Sequence, residues 1–128
     1  MRLLLDTHAL LWWLVGAPEL SAGARAAMGD PANEIYVSAA TAWEIATKSR
    51  RGKLHFQPGE AQRLGESVAA EGFRPLALTA EHGLRAGSYL QSHGDPFDRM
   101  LAAHCEMEDL TLVTRDPAFR AFPCRTLW

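Results

Sequence analysis

Leu3-Leu4-Leu5-Asp6-Thr7-His8-Ala9-Leu10-Leu11-Trp12 stands near the start of the chain, and its reading decides the fold. An apolar run this short, halted by a carboxylate and passing at once into a helical pattern, reads as a buried strand that feeds a helix. It superficially resembles a secretory leader. Asp6 and His8 interrupt the apolar run, however, and it is too short to span a membrane. The expectation is a cytoplasmic protein with no membrane partner.

The same order recurs along the chain. Apolar runs at Arg2–Leu5, Glu34–Val37, Arg74–Leu78, Leu110–Val113 and Cys124–Leu127 read as strands. Helical patterns cover Thr7–Val15, Ser21–Gly29, Thr41–Arg50, Gly59–Ala70, Thr79–Gln91 and Pro96–Glu108. The last is the best signalled: Asp95 suits the cap, Pro96 the first helical position and Asp98 the first turn. A short turn is expected after Asp116-Pro117. Strands alternating with helices predict an α/β fold, its mainly parallel sheet covered on both faces.

The 128 residues suit one domain spanning 1–128, and 48% hydrophobic content suffices for a core. The net charge of -2 and pI near 6.2 exclude a nucleic-acid binder that works by bulk positive charge. Any such contact needs a local patch or a bound metal. The two cysteines, Cys105 and Cys124, form no CxxC pair and read as reduced intracellular thiols.

In parallel sheets, chemistry gathers beyond the carboxyl ends of the strands. Asp6 follows Leu5 there, and Asp116 follows Leu112-Val113-Thr114-Arg115. Glu44 and Asp98 lie in the opening turns of helices. Four carboxylates in one cleft repel one another, and a divalent cation with hard oxygen ligands such as Mg²⁺ or Mn²⁺ relieves the repulsion. Each also has a local reading: Asp6 as a cap, Glu44 paired with Lys48 at i,i+4, Asp98 facing the helix dipole, Asp116 starting a turn.

Four segments resemble motifs of PIN domains in the VapC toxin group. They are the opening stretch, Val37-Ser38-Ala39-Ala40-Thr41-Ala42-Trp43-Glu44-Ile45, His93-Gly94-Asp95-Pro96-Phe97-Asp98-Arg99-Met100-Leu101-Ala102-Ala103, and Leu112-Val113-Thr114-Arg115-Asp116-Pro117-Ala118-Phe119. They stand in the family's order over essentially the whole chain. The resemblance implies a three-layer α/β/α sandwich with a five-stranded sheet. It also implies Mg²⁺- or Mn²⁺-dependent cleavage of RNA with Asp6, Glu44, Asp98 and Asp116 as the acidic site, a cognate antitoxin protein and a homodimer.

Thr7, Ser38, Thr114 and Asp95 flank the acids and are candidates to orient them, with local capping as the competing reading. Lys48, Arg50, Arg51 and Lys53 form a basic cluster, suited either to a helix C-terminus or to RNA phosphates. Arg99 and Arg115 follow two of the acids and are candidates to pair with them or to touch substrate. His8, His82, His93 and His104 lack zinc spacing. Trp12 and Trp13 suit core packing or a partner surface. A receiver-like domain would want paired acids after the first strand, and a haloacid-dehalogenase-like phosphatase an Asp-x-Asp there; Asp6-Thr7-His8 provides neither. A PIN fold kept for binding alone is the remaining alternative.

Overall fold

The computed structural model describes residues 1–54 and 59–128. Five strands, β1 (Arg2–Leu5), β2 (Glu34–Ser38), β3 (Arg74–Leu76), β4 (Thr111–Val113) and β5 (Arg125–Leu127), form one sheet in the order β3-β2-β1-β4-β5. Every neighbouring pair is parallel. Among the described residues six α-helices join them: α1 (Thr7–Val15), α2 (Ala22–Gly29), α3 (Ala39–Arg50), α4 (Leu64–Ala70), α5 (Ala80–Ser88) and α6 (Pro96–Glu108).

Alternation within the strands divides the core in two, because successive side chains point to opposite faces. Leu3, Leu5, Ile35, Val37 and Val113 pack with Leu10, Met28, Ile45 and Val68 on one face. Leu4 and Leu112 pack with Leu101, Tyr89 and Phe119 on the other. β1 is central, and Leu3, Leu4 and Leu5 are fully buried. The result is the expected three-layer sandwich.

The chain builds outward from β1 through β2 to β3, then crosses back to place β4 on the opposite flank. The connections therefore diverge between β1 and β4, which opens a crevice at the carboxyl ends of those two strands. β1, α1 and α6 keep their sequence-read bounds, and each helix is fixed by a capping carboxylate. α1 ends where Gly16 takes φ 65°, a left-handed geometry that favours glycine.

Three helices differ from expectation. α3 starts two residues early because Ser38 caps it through the Ala40 amide, 2.9 Å away. The pattern at Gly59–Ala70 divides into a 3-10 turn (Ala61–Arg63) and α4, with no side-chain cap at either start. α5 stops at Ser88, where the Arg99 guanidinium takes over the carbonyls of Ala86 and Tyr89. No described helix is long and apolar enough to cross a membrane.

Candidate active site

Asp6 leaves the end of β1, its amide donating to the Val113 carbonyl of β4 at 3.2 Å. Its Oδ1 accepts the Ala9 amide at 2.7 Å and so caps α1. The capping reading is therefore correct, and it coexists with a place in the crevice. Burial raises the carboxyl's pKa above the ordinary value, and Asp116 adds to the rise; the Thr114 hydroxyl, the Ala9 amide and His8 oppose it.

Asp98, in the first turn of α6, is also held up by burial, to about 6. Its Oδ2 lies 2.8 Å from Nε2 of His93, a contact that favours the charged form, while Asp95 and Asp116 disfavour it. Asp116 acts on both Asp6 and Asp98, so the three carboxylates share one electrostatic environment. Asp116 itself caps the 3-10 turn Pro117–Ala121 through the Ala118 amide at 2.9 Å.

Glu44 projects from α3 and is buried. Its Oε1 accepts the Thr7 hydroxyl at 2.5 Å, and its Oε2 forms an ion pair with Lys48. The i,i+4 pair foreseen in the sequence thus exists, but around a buried carboxylate and not on a solvated face. Thr7 follows Asp6 directly, so its hydroxyl ties the Glu44 helix to the end of β1.

The flanking residues separate by role. Thr7 bonds Glu44, and the Thr114 hydroxyl favours the ionised form of Asp6 and accepts the Asp116 amide at 3.1 Å. Ser38 caps α3, and Asp95 caps α6 through the amides of Phe97 and Asp98. Arg99 donates to four carbonyls, those of Ala86, Tyr89, Gln91 and His93, and pins the loop before α6. Arg115 instead lies over the Trp12 ring, its Cζ 4.5 Å from the centroid. Lys48 is engaged by Glu44, whereas Arg50, Arg51 and Lys53 are exposed at and just beyond the end of α3.

Sequence reading did not assign the His93 ring to Asp98. Only the fold of the intervening loop brings them together, and a five-residue spacing carries no helical or strand signal.

Among the described residues, no three acidic, imidazole or thiol groups stand close enough to form a finished cation cage. The donor set nonetheless fits a hard divalent cation. Asp6, Asp98 and Asp116 offer carboxylate oxygens, burial disfavours the charge of Asp6 and Asp98, and Mg²⁺ commonly binds through one or two carboxylates with water filling the other positions.

The sequence matches the PIN domain family over residues 3–123. The chain belongs to that family. This PIN domain is 28% identical over 121 residues to "Ribonuclease VapC22" of Mycobacterium tuberculosis, a match covering 92% of this chain and 89% of the relative. Its fold resembles a chain of the Rickettsia felis VapBC2 structure, bound to a promoter DNA fragment, with a TM-score of 0.70 and 16% identity over 99% of this chain and 98% of that one. A chain of VapBC-1 from nontypeable Haemophilus influenzae gives a TM-score of 0.70 and 19% identity, covering 99% of this PIN domain and 97% of the other chain. Membership also removes the receiver and phosphatase alternatives.

Proposed function

We propose that this PIN domain is a Mg²⁺- or Mn²⁺-dependent endoribonuclease and the toxin half of a VapBC-type pair. In this reading it acts in the cytoplasm as a homodimer and is restrained by a cognate antitoxin protein. The catalytic part is supported by the electrostatic reach of Asp116 to both Asp6 and Asp98, and by the Thr7 hydroxyl that ties Glu44 to the end of β1. The ribonuclease name of the Mycobacterium tuberculosis relative and the VapBC titles of the structural neighbours support the remainder.

Asp6, Asp98 and Asp116 would hold the cation, directly or through water. A bound divalent ion supplies an activated water at neutral pH and offsets charge on a phosphodiester. Asp6 is fixed by its cap on α1, and the Thr114 hydroxyl favours its ionised form. His93 steadies Asp98 and favours its ionised form. Glu44, released from Lys48, would orient the attacking water or join the ligand set. Arg50, Arg51 and Lys53 offer exposed positive charge for RNA phosphates.

The test is purified, antitoxin-free protein incubated with labelled cellular RNA, with Mg²⁺ or Mn²⁺ and with chelator. Cleavage should need the cation and vanish in Asp98→Asn, with circular dichroism showing that the variant folds. Folded wild type that leaves every RNA intact would favour a PIN fold kept for partner binding.

A further inference from the structure

Arg99 and Arg115 each follow a site carboxylate, and the structure gives them opposite employment. The Arg99 donors are engaged by four backbone carbonyls. The Arg115 guanidinium lies with Cζ 4.5 Å from the centroid of the Trp12 ring, and among the described residues its N–H groups have no hydrogen-bond or ion-pair partner.

Stacking on a ring uses the face of a guanidinium and leaves the donors around its edge free. Trp12 is itself held in place: the His8 ring lies 5.3 Å away and the Trp128 ring 5.9 Å away, nearly edge-on. A long, otherwise mobile cation is thus pre-oriented on a supported platform. A planar fork of free donors is matched to phosphate oxygens, which it can engage two at a time.

Its position selects the phosphate. Arg115 is the chain neighbour of Asp116, and neither Asp6 nor Asp98 has it among the charges that shift its carboxyl, so the guanidinium stands beside the acids and not among them. A cation seated inside the cleft would pair with the acids and compete with a divalent ion. One turned onto the Trp12 ring leaves the acids free to hold an ion and keeps its own donors for a neighbouring phosphate.

We infer that Arg115, held over the Trp12 ring, is a phosphate subsite for single-stranded RNA, engaging a backbone phosphate that flanks the one at the acidic cleft. Trp12 is a positioning residue that acts through Arg115. The inference rests on the ribonuclease reading above.

The test is binding of a short, unstructured fluorescent RNA to the Asp98→Asn protein in Mg²⁺ across a range of salt. Each phosphate contact to a single strand contributes about 0.7 to the slope of log affinity against log salt. Arg115→Ala should lower that slope by about 0.7 and weaken binding roughly tenfold, whereas Arg115→Lys should keep the slope and bind a few-fold less tightly. Trp12→Leu should weaken binding in the parent and add nothing in the Arg115→Ala background; Trp12→Phe should restore binding.

Arg115 is exposed, so Arg115→Ala decides the question by itself if Trp12→Leu fails to fold. An unchanged salt slope in Arg115→Ala, with wild type still cleaving RNA, overturns this subsite alone. Additive effects of the Trp12 and Arg115 changes overturn the positioning role. Wild type that neither binds nor cleaves RNA overturns the ribonuclease reading and the subsite with it.

Discussion

His104 sits in α6 with no exposed surface, and neither ring nitrogen has a hydrogen-bond partner. The His82 ring crosses it edge-on at 4.3 Å, and His82 in turn meets Glu108 at 2.9 Å. Burial lowers the His104 pKa from 6.5 to about 4; His82 adds to the drop, while Glu108 and the backbone near Ala77 oppose it without hydrogen-bond geometry at the ring. The folded state therefore prefers the neutral ring. Between the two pKa values the unfolded chain binds more protons, so stability is full above the unfolded value and falls with pH until the folded one is passed. At 1.36 kcal/mol per unit, the whole span is worth about 3 kcal/mol, of which roughly 2–3 is lost between about pH 7 and about pH 4.5. That is a large share of the ~5–15 kcal/mol that holds a typical domain together. Urea unfolding of wild type and His104→Leu at both pH values measures it. The raised carboxyls Asp6 and Asp98 drive stability the other way in both proteins, so the difference between the two isolates the histidine. His104→Leu, which also removes two unpartnered buried nitrogens, should be at least as stable as wild type at neutral pH and lose about 2–3 kcal/mol less on acidification. Parallel pH curves for the two proteins would refute the argument.

Asp98 gives a second pH signature: its carboxyl, held near 6 in metal-free protein, should weaken cation binding about tenfold per unit as pH falls below that value, measured by Mn²⁺ titration. Arg99→Lys should cost roughly 3 kcal/mol in urea unfolding, because a lysine cannot meet four carbonyls spread around the guanidinium; a loss of less than about 1 kcal/mol would deny Arg99 its pinning role. Lys48→Met strands the buried Glu44 carboxylate, and with Lys48 itself 35% exposed the expected cost is about 1–2 kcal/mol at neutral pH. That cost should vanish in a Glu44→Gln background, and its persistence there would count against the pair.

The elements most legible in the sequence are those whose ends carry their own chemistry. β1, α1 and α6 have their expected bounds because Asp6 and Asp95 serve as caps in both sequence and structure. The region at Gly59–Ala70 was less legible: Leu64 and Val68 supply an apolar stripe, but no side chain marks where the regular helix begins. The four acids could be listed from their places at strand ends and helix starts. What each one touches could not, since Thr7 to Glu44 and His93 to Asp98 are contacts made by the fold. Arg99 and Arg115 show the limit most clearly. Both follow an aspartate, and only the loop before α6 and the ring of Trp12 distinguish a structural cation from a free one. The His82–His104 contact, between α5 and α6, has no sequence signal at all.

Asp6 and Asp116 each give one carboxylate oxygen to a backbone amide that starts the next helical element. The acids are thus bolts in the frame as well as tools mounted on it. Fraying the first turn of α1 or the Pro117–Ala121 turn would release an acid from its station before the sheet had separated at all. Warming should therefore disarm the protein below its melting temperature, and the gap between the two temperatures reports how firmly the bolts hold. Replacing such an acid by asparagine leaves a bolt with no tool, whereas replacing it by alanine removes both.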